Sequence, residues 1–343
     1  MAIVKKQKIA LVVDSDNWAF ANIARNVSKN IKKYDFKIIP ITYLDNNLVK
    51  VYIEADDCDL IHFFWRENII GLDEENFEWY IRNLALTKQE FIEKFVANKK
   101  ITSCVYDHLF SEGKEIEKTK KIFSKCKNYY VSSKILLDIY NGLDLKYKPK
   151  YVITDGVDLE DFYPINIDRF KNIHKRTVKI GWVGNSAWKN DLEDFKGVNT
   201  ILKPAIKELK EEGYDIEEYF ADRQVRMIPH DKMVEYYSNV DILICTSKCE
   251  GTPNPVLEAM ACGVPVISTR VGIVPEALGK KQSEFILKER SKECLKENIK
   301  KLICDSQNFS NLSQENLEKI KKWTWEGVSK KFEKFFDEVF EEN

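Results

Sequence analysis

The stretch Cys249-Glu250-Gly251-Thr252-Pro253-Asn254-Pro255-Val256-Leu257-Glu258-Ala259-Met260-Ala261 (CEGTPNPVLEAMA) joins an apolar run, DILICTS at 241–247, to an amphipathic segment through a loop with two prolines. A short apolar run, a loop and a helix form the repeating unit of a parallel sheet covered on both faces. Asn254 suits the N-cap of that helix and Pro255 its first residue. First-turn amides lack intrahelical partners and carry partial positive charge, so such an end accepts a phosphate without a lysine. Lying beyond the carboxyl end of a strand, it also stands where open α/β sheets bind ligands. Glu258, one turn in, either complements the helix dipole or accepts two hydrogen bonds from a diol. Glu250, before the helix, is either a solvated loop residue or a ligand contact, and spacing leaves both readings open.

The same unit recurs along the chain. Strands are expected at KIALVV (8–13), FKIIPI (36–41), DLIHFF (59–64), ITSCVY (101–106), YYVSS (129–133) and KYVIT (150–154), with amphipathic helices such as 19–32 and 114–127 between them. The pattern restarts at VKIGWVG (178–184), IEEYFA (216–221), VDILICTS (240–247), VPVIST (264–269) and EFIL (284–287). Residues 155–176 hold Pro164 and many charges but no long apolar run, which suits a linker. The expected fold class is α/β, with two Rossmann-like, doubly wound parallel-sheet domains, 1–165 and 166–324. In the final segment Trp325, Val328, Phe332, Phe335, Phe336, Val339 and Phe340 fall on one helical face. Packing of this helix back on the first domain is one option that the spacing leaves open.

Bulk properties agree. The chain has 343 residues, 44% of them hydrophobic, more than a single core ordinarily supports. Basic and acidic residues balance at 54 and 55, so no nucleic-acid partner is expected. The eight cysteines form no C-x-x-C pair and several sit in apolar runs, which suits buried thiols and a reducing, cytoplasmic compartment. The apolar run after the N-terminal lysines is too short for a secretory segment or a membrane span.

EGTPNPVLEAMACGVPVISTRVGIVPEAL (250–278) resembles the E-x(7)-E region of retaining glycosyltransferases with the GT-B fold, which use nucleotide-sugar donors. Gly263, Pro265, Val266, Ile267, Gly272, Pro275 and Glu276 match the strand and the Gly-x-x-Pro-Glu loop that follow in that family. ITDGVDLEDFYP (153–164), KIGWVGNSAWKNDLEDFKGVNTILKPAIKEL (179–209) and MIPHDKMVEYYSNVDILICTS (227–247) resemble its other landmarks in order, with Asp155 where Asn is usual. The resemblance is strong over 150–290 and loose before it. It implies two domains facing each other across a cleft, metal-independent chemistry without a cofactor, and a UDP- or GDP-sugar as donor. It implies that Glu258 holds the nucleotide ribose and Glu250 the donor sugar, with the amides at Gly251, Thr252 and from Asn254 through Pro255 and Val256 to Leu257 on the diphosphate. The glycine turn supplies Gly184, Asn185 and Ser186; Asn185 stands where the family often has Arg, so the diphosphate cation falls to Lys196, seconded by Arg223, Lys189 or Arg226. His108 follows a strand where the family places a histidine facing the sugar, and Asp16, Asn17 and Trp18 replace a glycine-rich loop beside the acceptor. His62, His174 and His230 show no metal-ligand spacing.

These features lead to an expected transfer of a sugar, with retention, to a glycan, lipid-linked or protein acceptor, compatible with peripheral association at the inner face of a membrane. Glu250, Lys196 and His108 are the catalytic candidates. The alternatives are a sugar-nucleotide epimerase of the same architecture and a non-catalytic nucleotide-sugar-binding subunit. Nicotinamide chemistry is disfavoured, because GWVGNS (181–186) lacks G-x-G-x-x-G.

Overall fold

The computed structural model describes residues 6–16, 18–73, 77, 81–108, 115–145, 148–188 and 193–342. The chain divides into two compact units, residues 1–154 with 325–343, and residues 155–324. The boundary falls ahead of the expected 165/166.

In the first unit, strands β1 (Lys8–Val13), β2 (Asp35–Pro40), β3 (Leu60–Phe63), β4 (Lys100–Val105), β5 (Asn128–Val131) and β6 (Tyr151–Val152) form one sheet in the order β2-β1-β3-β4-β5-β6. Every pairing in it is parallel. Helices α1 (Ala19–Asn30), α2 (Leu48–Glu54), α3 (Lys88–Phe95), α4 (Glu115–Ser124) and α5 (Lys134–Gly142) supply the crossovers. β1 after Lys8 and β3 apart from His62 read as apolar runs because both faces of the sheet are covered, one by the core around Tyr52, Phe63 and Phe91, the other by the core around Leu11, Ala24 and Phe336.

The second unit pairs β7 (Val178–Gly184), β8 (Ile216–Asp222), β9 (Ile242–Cys245) and β10 (Val266–Ser268) in the order β10-β9-β7-β8, again all parallel. Around it lie α6 (Lys203–Glu211), α7 (Met233–Tyr237), α8 (Asn254–Ala261), α9 (Val274–Ala277), α10 (Lys292–Ile303) and α11 (Ser306–Lys319). Residues 155–176 are not a free linker. Phe170 and Ile173 are fully buried in this unit's core, and Arg169 and Arg176 both reach the buried Asp241 carboxylate, Arg176 through two bonds of 2.7 Å. The apolar residues of this stretch fall scattered among charges and turn formers with no long apolar run, which is why it reads as a linker.

EFIL is not a strand either. At the free edge of β10 the buried Gln282 side chain accepts from the Val266 amide at 3.1 Å and donates to its carbonyl at 2.6 Å, taking the place of a strand partner. Beyond it only a single bridge, Ser268 to Ile286, continues the ladder. The last helix, α12 (Trp325–Glu341), returns to the first unit, where Trp325, Val328, Phe332, Phe335, Phe336 and Val339 are all buried against α1 and the sheet. Lys100 caps its C-terminal end, donating to the carbonyls of Val339 and Glu342 at 2.7 Å each.

Candidate active site in the second unit

In the second unit β8 lies on one side of β7 and β9 on the other, so the loops leaving β7 and β9 flank the point where strand order reverses, the usual ligand position of such a sheet. The loop after β9 is the stretch 246–253. Its helix α8 begins at Asn254 itself, one residue earlier than expected, with Pro253 before it and Pro255 second. Asn254 is therefore not the cap: its side chain makes no capping bond, and its Oδ1 is buried with no hydrogen-bond partner among the described residues.

The open donors also shift. Pro255 has no amide hydrogen, and the Val256 amide donates to the Pro253 carbonyl at 2.9 Å. Val256 and Leu257 bury their side chains in the core. Among the described residues, the amides of Gly251, Thr252 and Asn254 have no backbone or side-chain acceptor. The Thr252 hydroxyl accepts from the Asp155 amide at 3.1 Å, which fastens the start of this unit beside the loop.

A helical turn, Val198–Leu202, leads into α6 and begins close by, but its end is filled. The Asp194 carboxylate accepts from the amides of Gly197, Asn199 and Thr200 at 2.8, 2.8 and 2.9 Å, and from the Thr200 hydroxyl at 3.0 Å. That end already holds an anion, whereas among the described residues no side-chain carboxylate bonds the first amides of α8.

Lys196 reaches the α8 loop. Its Nζ lies 2.5 Å from Glu250 Oε1, with side chains 21% and 19% exposed, and 5.0 Å from the centre of the Trp188 ring. Burial disfavours the ammonium, but the Glu250 carboxylate outweighs burial and raises the lysine pKa, so the cation keeps its charge. The backbone beneath it is fixed at several points. Thr246 Oγ1 donates to the Lys196 carbonyl at 2.8 Å, and Arg290 donates to the Thr246 carbonyl at 2.9 Å and the Asp194 carbonyl at 2.6 Å. Gly197 has φ +68°, and a Cβ there would stand 2.7 Å from the Thr246 oxygen, so glycine is required.

The loop 270–276 backs the same site. Gly272 has φ +47°, and a Cβ on it would overlap the Gly251 carbonyl, which accepts from the Ile273 amide at 3.1 Å. This close approach is the physical need behind the glycine of the Gly-x-x-Pro-Glu loop.

Glu258 is half-buried one turn into α8, and Tyr237 donates to its Oε2 at 2.7 Å. Burial raises the carboxyl pKa, opposed by the Tyr237 hydroxyl and by His230 nearby. Oε1 has no partner among the described residues. In the glycine turn, Gly184 accepts the Arg223 amide at 2.9 Å, and Asn185 Oδ1 accepts from Ala187 at 3.0 Å and from the Gln224 side chain at 2.8 Å. The Ser186 amide donates to Asp222 at 3.1 Å; burial works against charge on Asp222, but the bonds from Ser186 and Gln224 hold its pKa below the ordinary value. Arg223 and Arg226 are exposed just beyond β8.

His108 belongs to the first unit, half-buried two residues after Tyr106 at the exit of β4, next to Asp107, which Arg66 holds at 2.7 Å. Asp16 is paired with Arg25 at 3.1 Å, and Trp18 precedes α1 with 41% exposure. Asn17 and Lys189 lie outside the described residues. His62 is a core residue, bonded to Thr102 at 2.9 Å. Sequence reasoning missed Asp194, Arg290, Thr246 and Tyr237. Only Asp194 offered a signal, an acid three residues before a glycine and a helix.

Comparison with known proteins finds likenesses over this part of the chain. The pattern of the family described as glycosyl transferases group 1 matches residues 196–322, from the lysine of the ion pair to the end of the second unit's helices. The match lies wholly within the second unit and spans 127 of the 343 residues. One component of human phosphatidylinositol N-acetylglucosaminyltransferase is 28% identical over 206 residues, 55% of this chain and 41% of that protein. The N,N'-diacetylbacillosaminyl-diphospho-undecaprenol alpha-1,3-N-acetylgalactosaminyltransferase of Campylobacter jejuni is 24% identical over 218 residues, 59% of this chain and 58% of that protein. The chain thus spans roughly half the length of these curated relatives. Among solved structures, sucrose-phosphate synthase from Thermosynechococcus elongatus matches 98% of this chain and all of its own, with a TM-score of 0.67 at 16% identity. Anabaena HepE, solved with UDP and glucose, matches 97% of this chain and all of its own, also at 0.67, with 12% identity. The chain therefore shares the GT-B fold of these structures. Among the described residues no helix is long and apolar enough to cross a membrane.

Proposed function

We propose that the protein transfers a sugar, with retention, from a nucleoside-diphosphate sugar to an acceptor. The observation that carries this reading is the meeting of the Lys196 cation with the open end of α8, while the neighbouring helix end is already occupied by Asp194. The diphosphate lies against the amides of Gly251, Thr252 and Asn254, and Lys196 neutralises the charge that collects on it as the glycosidic bond breaks. Glu258 Oε1 accepts from the ribose hydroxyls, its other oxygen being fixed by Tyr237. Glu250 contacts the donor sugar. The acceptor oxygen attacks the face from which the diphosphate leaves, and a diphosphate oxygen takes its proton. Amides and lysine supply the electrostatic stabilisation, so the reading requires no metal ion. The first unit binds the acceptor.

The names of the two curated relatives, an N-acetylglucosaminyltransferase named for phosphatidylinositol and an N-acetylgalactosaminyltransferase named for a diphospho-undecaprenol-linked sugar, favour a lipid-linked acceptor here. The test is a thermal-shift panel of UDP- and GDP-sugars, followed by calorimetry. Bound donor raises apparent stability by mass action. Lys196→Ala is expected to weaken nucleoside-diphosphate binding about tenfold or more and to lower turnover; undiminished binding removes the lysine from the site.

A further inference from the structure

We propose that Glu250 makes the site prefer the nucleotide-sugar donor over the nucleoside-diphosphate product, by competing with the diphosphate for Lys196. This rests on the reading above and assigns a specificity that the reading does not contain.

Glu250 Oε1 holds the Lys196 ammonium at 2.5 Å. Two further cations among the described residues near it are engaged elsewhere. Lys248 bonds Glu193 at 2.7 Å, and the Arg290 guanidinium is spent on the carbonyls of Thr246, Asp194 and Phe195. A diphosphate that takes the ammonium therefore leaves Glu250 a largely buried carboxylate beside a like charge, without its counter-ion.

What Glu250 gains in exchange depends on the ligand. A donor brings sugar hydroxyls that can donate to the displaced carboxylate; a bare nucleoside diphosphate brings none. The backbone cannot retreat to relieve the clash of charges, because Gly251 is bonded to Ile273 and packed against Gly272. The exchange is thus a rotation of the Glu250 side chain. After transfer the sugar hydroxyls are gone, and the carboxylate returns to Lys196 as the product leaves.

The test is calorimetric titration of UDP and GDP, and of UDP-glucose and GDP-mannose, into wild type, Glu250→Gln, Lys196→Met and the double variant. Glutamine keeps the shape and removes the competing charge. Glu250→Gln is expected to bind the nucleoside diphosphate about fivefold or more tightly than wild type, with no gain for the matching sugar nucleotide. The tightening should vanish in the Lys196→Met background, since both changes act on one pair. Unchanged or weaker diphosphate binding by Glu250→Gln overturns the proposal, as does an equal gain for both ligands. Should Lys196→Met bind the diphosphate as wild type does, or wild type bind neither UDP nor GDP, the donor-site reading itself fails and the proposal with it. Loss with Lys196→Met but no gain with Glu250→Gln sinks the proposal alone.

Discussion

Glu258 shows how a single residue can serve a ligand at a cost to the fold. Burial lifts its pKa above the ordinary 4.5, with Tyr237 holding one oxygen against that trend. The folded chain then binds more protons than the unfolded one in the window just above the ordinary carboxylate range, so stability falls as pH rises through it. Glu258→Gln removes the buried charge while its amide oxygen still accepts from Tyr237. The variant is expected to melt about 2–4 °C above wild type at pH 7, with the gain shrinking toward pH 4, and to lose donor affinity. Scanning calorimetry at the two pH values checks it, and a variant that melts lower at pH 7 contradicts the assignment. Glu250, Glu258 and Lys196 stand out in the sequence because the residues around them resemble a family motif, and the structure brings Lys196 onto Glu250. The residues that hold them were not. Arg290 lies far along the chain in a charged stretch and acts only through backbone carbonyls, and Tyr237 looks like any other core tyrosine until its hydroxyl is seen on Glu258.

Among the elements, α12 follows the second unit in sequence yet fills the core of the first, with Phe332, Phe335 and Phe336 fully buried beside Tyr130 and α1. Phe336→Ala leaves a cavity there and is expected to cost about 3–5 kcal/mol. Urea unfolding followed by a signal from the first unit should show the midpoint fall; an unchanged midpoint would mean that the helix contributes little to that core. The apolar stripe of α12 was plain in the sequence, but its destination was not, since a period of 3.6 reports that a face is buried and not against what. Strand positions were read well where mostly apolar runs cross a covered sheet, as in β1, β3 and β9. Reading failed where a side chain imitates the backbone: the Gln282 amide pairs with both polar groups of Val266, and EFIL is displaced from the edge it was expected to occupy.

For the whole molecule, the sequence carried the two-unit architecture because βα alternation stops and restarts, and it misplaced the boundary because ionic ties do not show as hydrophobic periodicity. Asp241, buried at the start of β9, gathers Arg169, Arg176 and the Lys179 amide, so the charged stretch before β7 folds as part of the second unit. That unit contains the reversal of strand order, the open helix end and the paired lysine, and the account of function rests on it. The most direct test is a crystal structure of the protein with UDP or GDP bound. The account predicts diphosphate oxygens within hydrogen-bond reach of the Gly251, Thr252 and Asn254 amides and of Lys196 Nζ. A diphosphate bound elsewhere, with only solvent at the tip of α8, would contradict it.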